Sequence, residues 1–154
     1  VRLARFHEFA REALSKAPEV QTVNAWDGRS FGLLITFATG SQIAVGITAA
    51  AAPGDKGEGP EVPVHGDAPA ETAYPELYES GKITPARAQD YLVAALANSG
   101  CDEIQKVYAY ASTSSHPGFG VVFHDGARAF CLFEGTARSG QGISSRGHDI
   151  PSSF

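Results

Sequence analysis

Apolar residues recur at helical spacing near the start of the chain: Leu3, Phe6, Ala10, Ala13, Leu14 and Ala17, after which Pro18 ends the run. The spacing predicts a helix over 3–17. Val20 to Trp26 then reads as a strand, followed by the turn dipeptide Asp27-Gly28. Phe31, Leu33, Ile35 and Phe37 alternate with Gly32, Leu34 and Thr36; after Ala38-Thr39-Gly40, Ile43, Val45 and Ile47 alternate with Ala44, Gly46 and Thr48. A period of two in both runs predicts two half-buried strands, so the first third reads helix, strand, strand, strand.

Between Pro53 and Gly81 neither period survives, and the segment holds five Pro and five Gly. It reads as a long connecting loop, with one helical turn expected at Pro75-Glu76-Leu77-Tyr78. Thr84-Pro85 then supplies a capping side chain followed by proline at the first helical position. Ala88, Tyr91, Leu92, Ala95 and Leu96 carry a helical period to a stop at Asn98-Ser99-Gly100. Strands are predicted at 104–111, 119–124 and 128–134, the last two joined through Asp125-Gly126. The Ser- and Gly-rich residues 135–154 are expected to form a flexible tail.

The element order repeats, and residues align across the repeat. Ala4-Arg5 falls on Ala86-Arg87, Ala13-Leu14 on Ala95-Leu96, Gln21 on Gln105, Val23 on Val107, Ala25 on Ala109, and Phe31-Gly32 on Phe119-Gly120. The expectation is an α+β fold with a mainly antiparallel six-stranded sheet, built from two helix-plus-three-strand repeats at 3–49 and 84–134. Both helices are expected on one face, within a single domain spanning 1–134.

Turn geometry decides which residues share a face. A three-residue loop at 38–40 sets Ile35 opposite Ile43, Leu33 opposite Val45 and Phe31 opposite Ile47. A two-residue turn at Asp125-Gly126 sets Val121 opposite Phe130 and Phe119 opposite Leu132. The other face then carries Leu34, Thr36, Ala44, Gly46 and Thr48, continued by Val122, His124, Ala129, Cys131 and Phe133. A solvated antiparallel face normally alternates in charged residues. This uncharged one is expected to be covered by the loop, the tail or a partner.

Composition bounds the rest. With 154 residues, 43% apolar and two cysteines, the chain is long enough for one core and is neither disordered nor a disulfide scaffold. No run approaches the roughly 20 apolar residues of a membrane-spanning helix. Cys101 and Cys131 are expected as free thiols, in keeping with a cytoplasmic location. A chain beginning at Val1 is expected to have lost its initiator, and any signal peptide with it. The net charge is −5, and it is concentrated. Asp55, Glu58, Glu61, Asp67, Glu71, Glu76 and Glu79 stand against Lys56 alone in 53–81, a balance of −6; the other ten acids and eleven bases give +1.

Candidate chemistry is sparse. His7, His65, His116, His124 and His148 lack the spacing of zinc ligands, and the acids of 53–81 are too widely spaced for a calcium loop. No metal or cofactor is expected. His124 and Asp125 read as strand-end and turn residues. Cys131 reads as a packing residue, and Cys101 follows a helix C-terminus, where the dipole does not acidify a thiol. Ser139-Gly140-Gln141-Gly142 lacks the strand and helix of a phosphate loop. Arg138 and Arg146 do not make a nucleic-acid patch. A sheet bearing Trp26, Tyr108 and Tyr110 in a chain of pI 5.5 lacks the electrostatic footprint for such a partner.

No catalytic residue is assigned. The expected function is a non-catalytic protein-interaction module: an adaptor, a chaperone-like protein or an immunity-type binder of a basic partner, or a self-associating chain. The seven acids of 53–81 are the candidate contact residues. The alternative is a small-molecule-binding or enzymatic domain with a pocket between sheet and loop, lined by Tyr108, Tyr110, His116 and His124.

Overall fold

The structure, a computed structural model, describes residues 1–111, 114–143 and 150–154. Helix α1 spans Leu3–Ser15 and is followed by strands β1 (Val20–Trp26), β2 (Gly32–Phe37) and β3 (Gln42–Ala50). A small hairpin of β4 (Tyr78–Glu79) and β5 (Lys82–Ile83) precedes helix α2 (Pro85–Ala97). Strands β6 (Ile104–Ala109), β7 (Gly118–Phe123) and β8 (Arg128–Ala137) complete the order. Helix α1 buries Phe6, Ala10, Ala13 and Leu14 along one stripe, and Pro18, lacking an N–H, cannot extend it. Helix α2 starts where Thr84 accepts the Arg87 N–H at 3.2 Å, with Pro85 in the first turn.

The fold is α+β, and its six long strands form one antiparallel sheet in the order β1-β2-β3-β8-β7-β6. Phe6 and Leu14 of α1 and Leu92 and Leu96 of α2 join Ile35, Ile43, Val45, Phe119, Val121 and Phe133 in a single buried cluster. Among the described residues, no helix is long and apolar enough to cross a membrane.

The first hairpin has the expected register, Leu33 opposite Val45 and Ile35 opposite Ile43. The second does not. Phe119 faces Cys131 and Val121 faces Ala129, one residue away from the pairing expected with Phe130 and Leu132. The loop there has three residues, not two: the Phe123 N–H reaches the Ala127 carbonyl at 3.0 Å, as the Phe37 N–H reaches that of Ser41 at 2.9 Å. Gly126 and Gly40 occupy the left-handed region at φ 90° and 89°, and Asp125 Oδ1 accepts the Ala127 N–H at 2.8 Å. A one-residue slip moves every side chain of a strand to the other face. Ala129, Cys131 and Phe133, expected outside, are therefore buried in the core, while Phe130 and Leu132 are half-buried outside it.

Two local expectations also change. No helical turn forms at 75–78; Leu77 is buried, and the chain enters the β4–β5 hairpin through a Ser80-Gly81 turn with φ 52° and 77°. The expected tail differs at both its ends. Gly135 to Ala137 continue β8 beside β3, and Phe154 is buried, exchanging two backbone hydrogen bonds of 2.8 Å with Ile83. Arg146 and His148 lie outside the described residues.

The sheet face away from the core is partly closed by its own aromatic side chains. Trp26, Gly32, Gly46, Leu132 and Gly118 stand opposite one another in turn across five strands, and the Tyr110 N–H meets the Gly118 carbonyl beyond β6's end. The Trp26 ring covers Gly32, the Tyr110 ring lies beside Gly118, and the Arg29–Glu134 pair, with N···O of 3.2 Å, sits over Gly46. Trp26 is only 5% exposed as a result.

Candidate interaction site

The acidic segment crosses the helices as a strap, tied down at intervals. Near its start, Arg2 donates to Asp55 through Nε at 3.3 Å and Nη2 at 3.1 Å, and also reaches the carbonyls of Gly59 and Glu58 at 2.7 and 3.1 Å. Glu61 accepts the Arg2 backbone N–H and Arg5 Nε, both at 2.6 Å. The remaining nitrogens of Arg5 form a fork on Glu103 at 2.9 and 2.6 Å. Arginine suits this bridging, since its planar donors match two carboxylates at once. These hydrogen bonds hold the carboxyls of Asp55, Glu61 and Glu103 below their ordinary range and push the two guanidinium groups up.

Midway, the Gly66 N–H donates to the Asp102 carbonyl at 2.7 Å and His65 Nδ1 to the Asp102 carboxylate at 2.8 Å. That bond raises the pKa of His65. His124 Nε2 donates to the Asp67 carbonyl at 2.9 Å, and its ring stands where a side chain at 66 would begin. Further on, Thr72 and Asn98 exchange two hydrogen bonds of 2.8 Å, and the Tyr74 ring lies 5.0 Å from that of Tyr91. Tyr78 donates to Glu19 at 2.8 Å; burial and this bond both raise its pKa. Arg87 closes the strap on the Glu76 carbonyl at 3.1 Å and the Glu79 carboxylate at 3.7 Å.

The seven candidate acids thus divide. Asp55, Glu61 and Glu79 are engaged with arginines of the body. The carboxylates of Glu58, Asp67, Glu71 and Glu76 have no ion pair or hydrogen bond among the described residues; where Glu58, Asp67 and Glu76 are held, it is through their backbone carbonyls. The anchoring residues, from Arg2, Arg5 and Glu19 through Arg87, Tyr91 and Asn98 to Asp102, Glu103 and His124, were not legible as a set, because they are scattered along the chain. The one sequence signal was the pair of bases at 2 and 5, one turn apart beside an otherwise near-neutral body.

The four residues of the alternative pocket are not brought together. Tyr108, on the edge strand β6, and Tyr110, just beyond its end, have rings 6.0 Å apart, with burial pushing the Tyr110 hydroxyl up to about 12. His116 is exposed in the loop before β7, and His124 lies beyond the opposite end of that strand, under the strap. A cavity of about 270 Å³ does lie beneath the strap, lined by Phe9, Ala13, Tyr74, Ala95, Asn98 and Ser99 with Glu12 and Lys16. Its Asn98 side chain is already committed to Thr72, and larger depressions of about 530 and 570 Å³ lie at the start of the strap and along α1. Cys131 is a free thiol within the core, its pKa raised by burial, and Cys101 is also free. Among the described residues, no group of three His, Cys, Asp or Glu side chains is placed to hold a metal ion.

Comparison of the chain with protein-family models, with curated proteins and with solved structures finds no match.

Proposed function

We propose that this protein is a non-catalytic protein-interaction module that presents the acidic strap to a basic partner protein, in the manner of an adaptor, a chaperone or an immunity-type inhibitor. The observation that carries this reading is the division of the strap's acids. Arginines of the body hold it in place, while Glu58, Asp67, Glu71 and Glu76 keep carboxylates unpaired among the described residues. An anchored row of like charges steers a basic surface toward it and restrains the chain before contact. Among the described residues, the large apolar side chains that stand exposed, Val62, Val64 and Tyr74, also belong to the strap and not to the sheet. Two free thiols support placing the protein in the cytoplasm.

The test is co-purification from the native host, identification of the bound protein by mass spectrometry, and binding kinetics with purified components. Replacing Glu58, Asp67, Glu71 and Glu76 by their amides is expected to lower the association rate by roughly tenfold or more at low salt and to flatten its salt dependence. Unchanged kinetics would overturn the reading, as would a partner whose footprint falls on the sheet.

We further infer that the strap joins two copies of one helix-plus-three-strand unit whose helices lie on the same face of the sheet. The shared buried cluster supports the common face. Repetition is supported by matching irregularities: β1 and β6 are both offset at a glutamine, Gln21 and Gln105, against the strand beside them. Both hairpins close through a phenylalanine and a left-handed glycine, Phe37 with Gly40 and Phe123 with Gly126. Trp26 over Gly32 corresponds to Tyr110 beside Gly118. This register pairs Gly32 with Gly118, two residues from the alignment read from sequence.

A further inference from the structure

We infer that Pro60-Glu61-Val62-Pro63-Val64 is a pre-organised extended ligand, held by the body for insertion into an apolar, aromatic-lined groove of a partner protein rimmed by Lys and Arg. The inference rests on the reading of the strap as the partner-binding surface and names the part of it that docks. Val62 is 77% exposed and Val64 43%, and they are two of the three large apolar side chains that stand exposed among the described residues. Pro60 and Pro63 stand three residues apart. Proline fixes its own φ and keeps the residue before it out of the helical region, which favours a left-handed extended helix of three residues per turn.

Exposure is uneven along the segment. Glu61 turns inward onto Arg2 and Arg5, and Val64, three residues on, is much less exposed than Val62. The segment is fixed on both sides: Glu61 by its two hydrogen bonds of 2.6 Å, and His65-Gly66 by the Asp102 side chain and carbonyl at 2.8 and 2.7 Å. A segment already anchored on both sides loses less chain entropy on docking, and proline-rich segments serve as recognition elements for the same reason. The unpaired carboxylates of Glu58 and Asp67 bracket it, and they select a basic rim around the groove.

The test places the photocrosslinking residue benzoylphenylalanine at Val62, Val64, Glu71, Thr48 or Asp90 of the full chain in its native host. The crosslinked protein is then identified, purified and titrated calorimetrically against wild type and the V62S/V64S double variant. The expected result is one discrete adduct from positions 62 and 64, absent from Asp90 on α2. The purified partner should bind wild type and lose roughly tenfold or more in affinity for V62S/V64S, whose unfolding midpoint should equal wild type because both valines are exposed. An adduct from Glu71 with undiminished V62S/V64S binding would overturn the docking segment and leave the acidic-strap reading standing. Adducts from Thr48 on the sheet alone would overturn both. An adduct of the chain with itself, or none at any position, would overturn the inference.

Discussion

Arg5 Nε donates to Glu61 Oε2 at 2.6 Å across 56 residues of chain. The same guanidinium grips Glu103, so one side chain at the start of α1 joins the strap to the beginning of β6. Arg5→Ala removes three charge-assisted hydrogen bonds at once. Because the side chain is 42% exposed, solvent screening holds the expected loss to about 1–2 kcal/mol. The local effect should exceed the global one. The Gly66 amide, bonded to Asp102 next to this bridge, is expected to exchange with deuterium markedly faster in the variant, while core amides such as that of Ile35 keep their protection relative to global stability. Unchanged exchange at Gly66 would show that the strap is not held from this end.

The strap's anchors respond to pH in opposite directions. Asp55, Glu61 and Glu103 have carboxyls held below their ordinary range, chiefly by arginine hydrogen bonds. Their contribution is present above the unfolded values near 4 and is lost as pH falls through the lower folded ones. His65 is raised above its ordinary 6.5, chiefly by the bond to Asp102. Its contribution is full below 6.5 and disappears as pH rises through the folded value. The strap should therefore be tightest at mildly acid pH and loosen first at its midpoint on the alkaline side. A proton NMR titration of the His65 ring is expected to give a midpoint above 6.5 that returns toward it in Asp102→Asn. A wild-type midpoint at or below 6.5 would refute the coupling.

Most of the element order was legible because it is written in local periods: Leu3 to Leu14 at helical spacing, Phe31 to Phe37 and Ile43 to Ile47 in alternation, Thr84-Pro85 as a cap. The second hairpin was not, because Asp125-Gly126 suits a two-residue turn as well as the end of a three-residue loop. Only the pairing of Phe123 with Ala127 decides between them, and that single residue exchanged Cys131 and Phe133 for Phe130 and Leu132 in the core. The strap was illegible in another way. Its charge was plain in the sequence, but whether an acid faces solvent or an arginine depends on contacts with residues tens of positions away, to which no local pattern points.

The closed sheet face can be tested through the only tryptophan in the chain. A methyl group at position 32 would stand 2.7 Å from the Trp26 carbonyl oxygen and 3.0 Å from its ring. The oxygen belongs to the backbone of a strand paired through this residue, so it cannot retreat without loosening the β1 edge. Gly32→Ala is therefore expected to cost about 1–3 kcal/mol, the usual range for overpacking, and to shift the Trp26 emission to longer wavelength as the indole leaves its 5% exposed site. Gly120→Ala makes a useful contrast. There the crowding atoms belong to the half-exposed Tyr108 ring on the other edge strand, which is free to swing outward and give up its contact with Lys106, 5.6 Å from the ring centre. That variant should therefore lose less stability than Gly32→Ala, with Trp26 emission unchanged. Equal destabilisation of the two, or an emission spectrum unmoved by Gly32→Ala, would show that the indole is not held over the glycine and would return the sheet face to consideration as a docking surface.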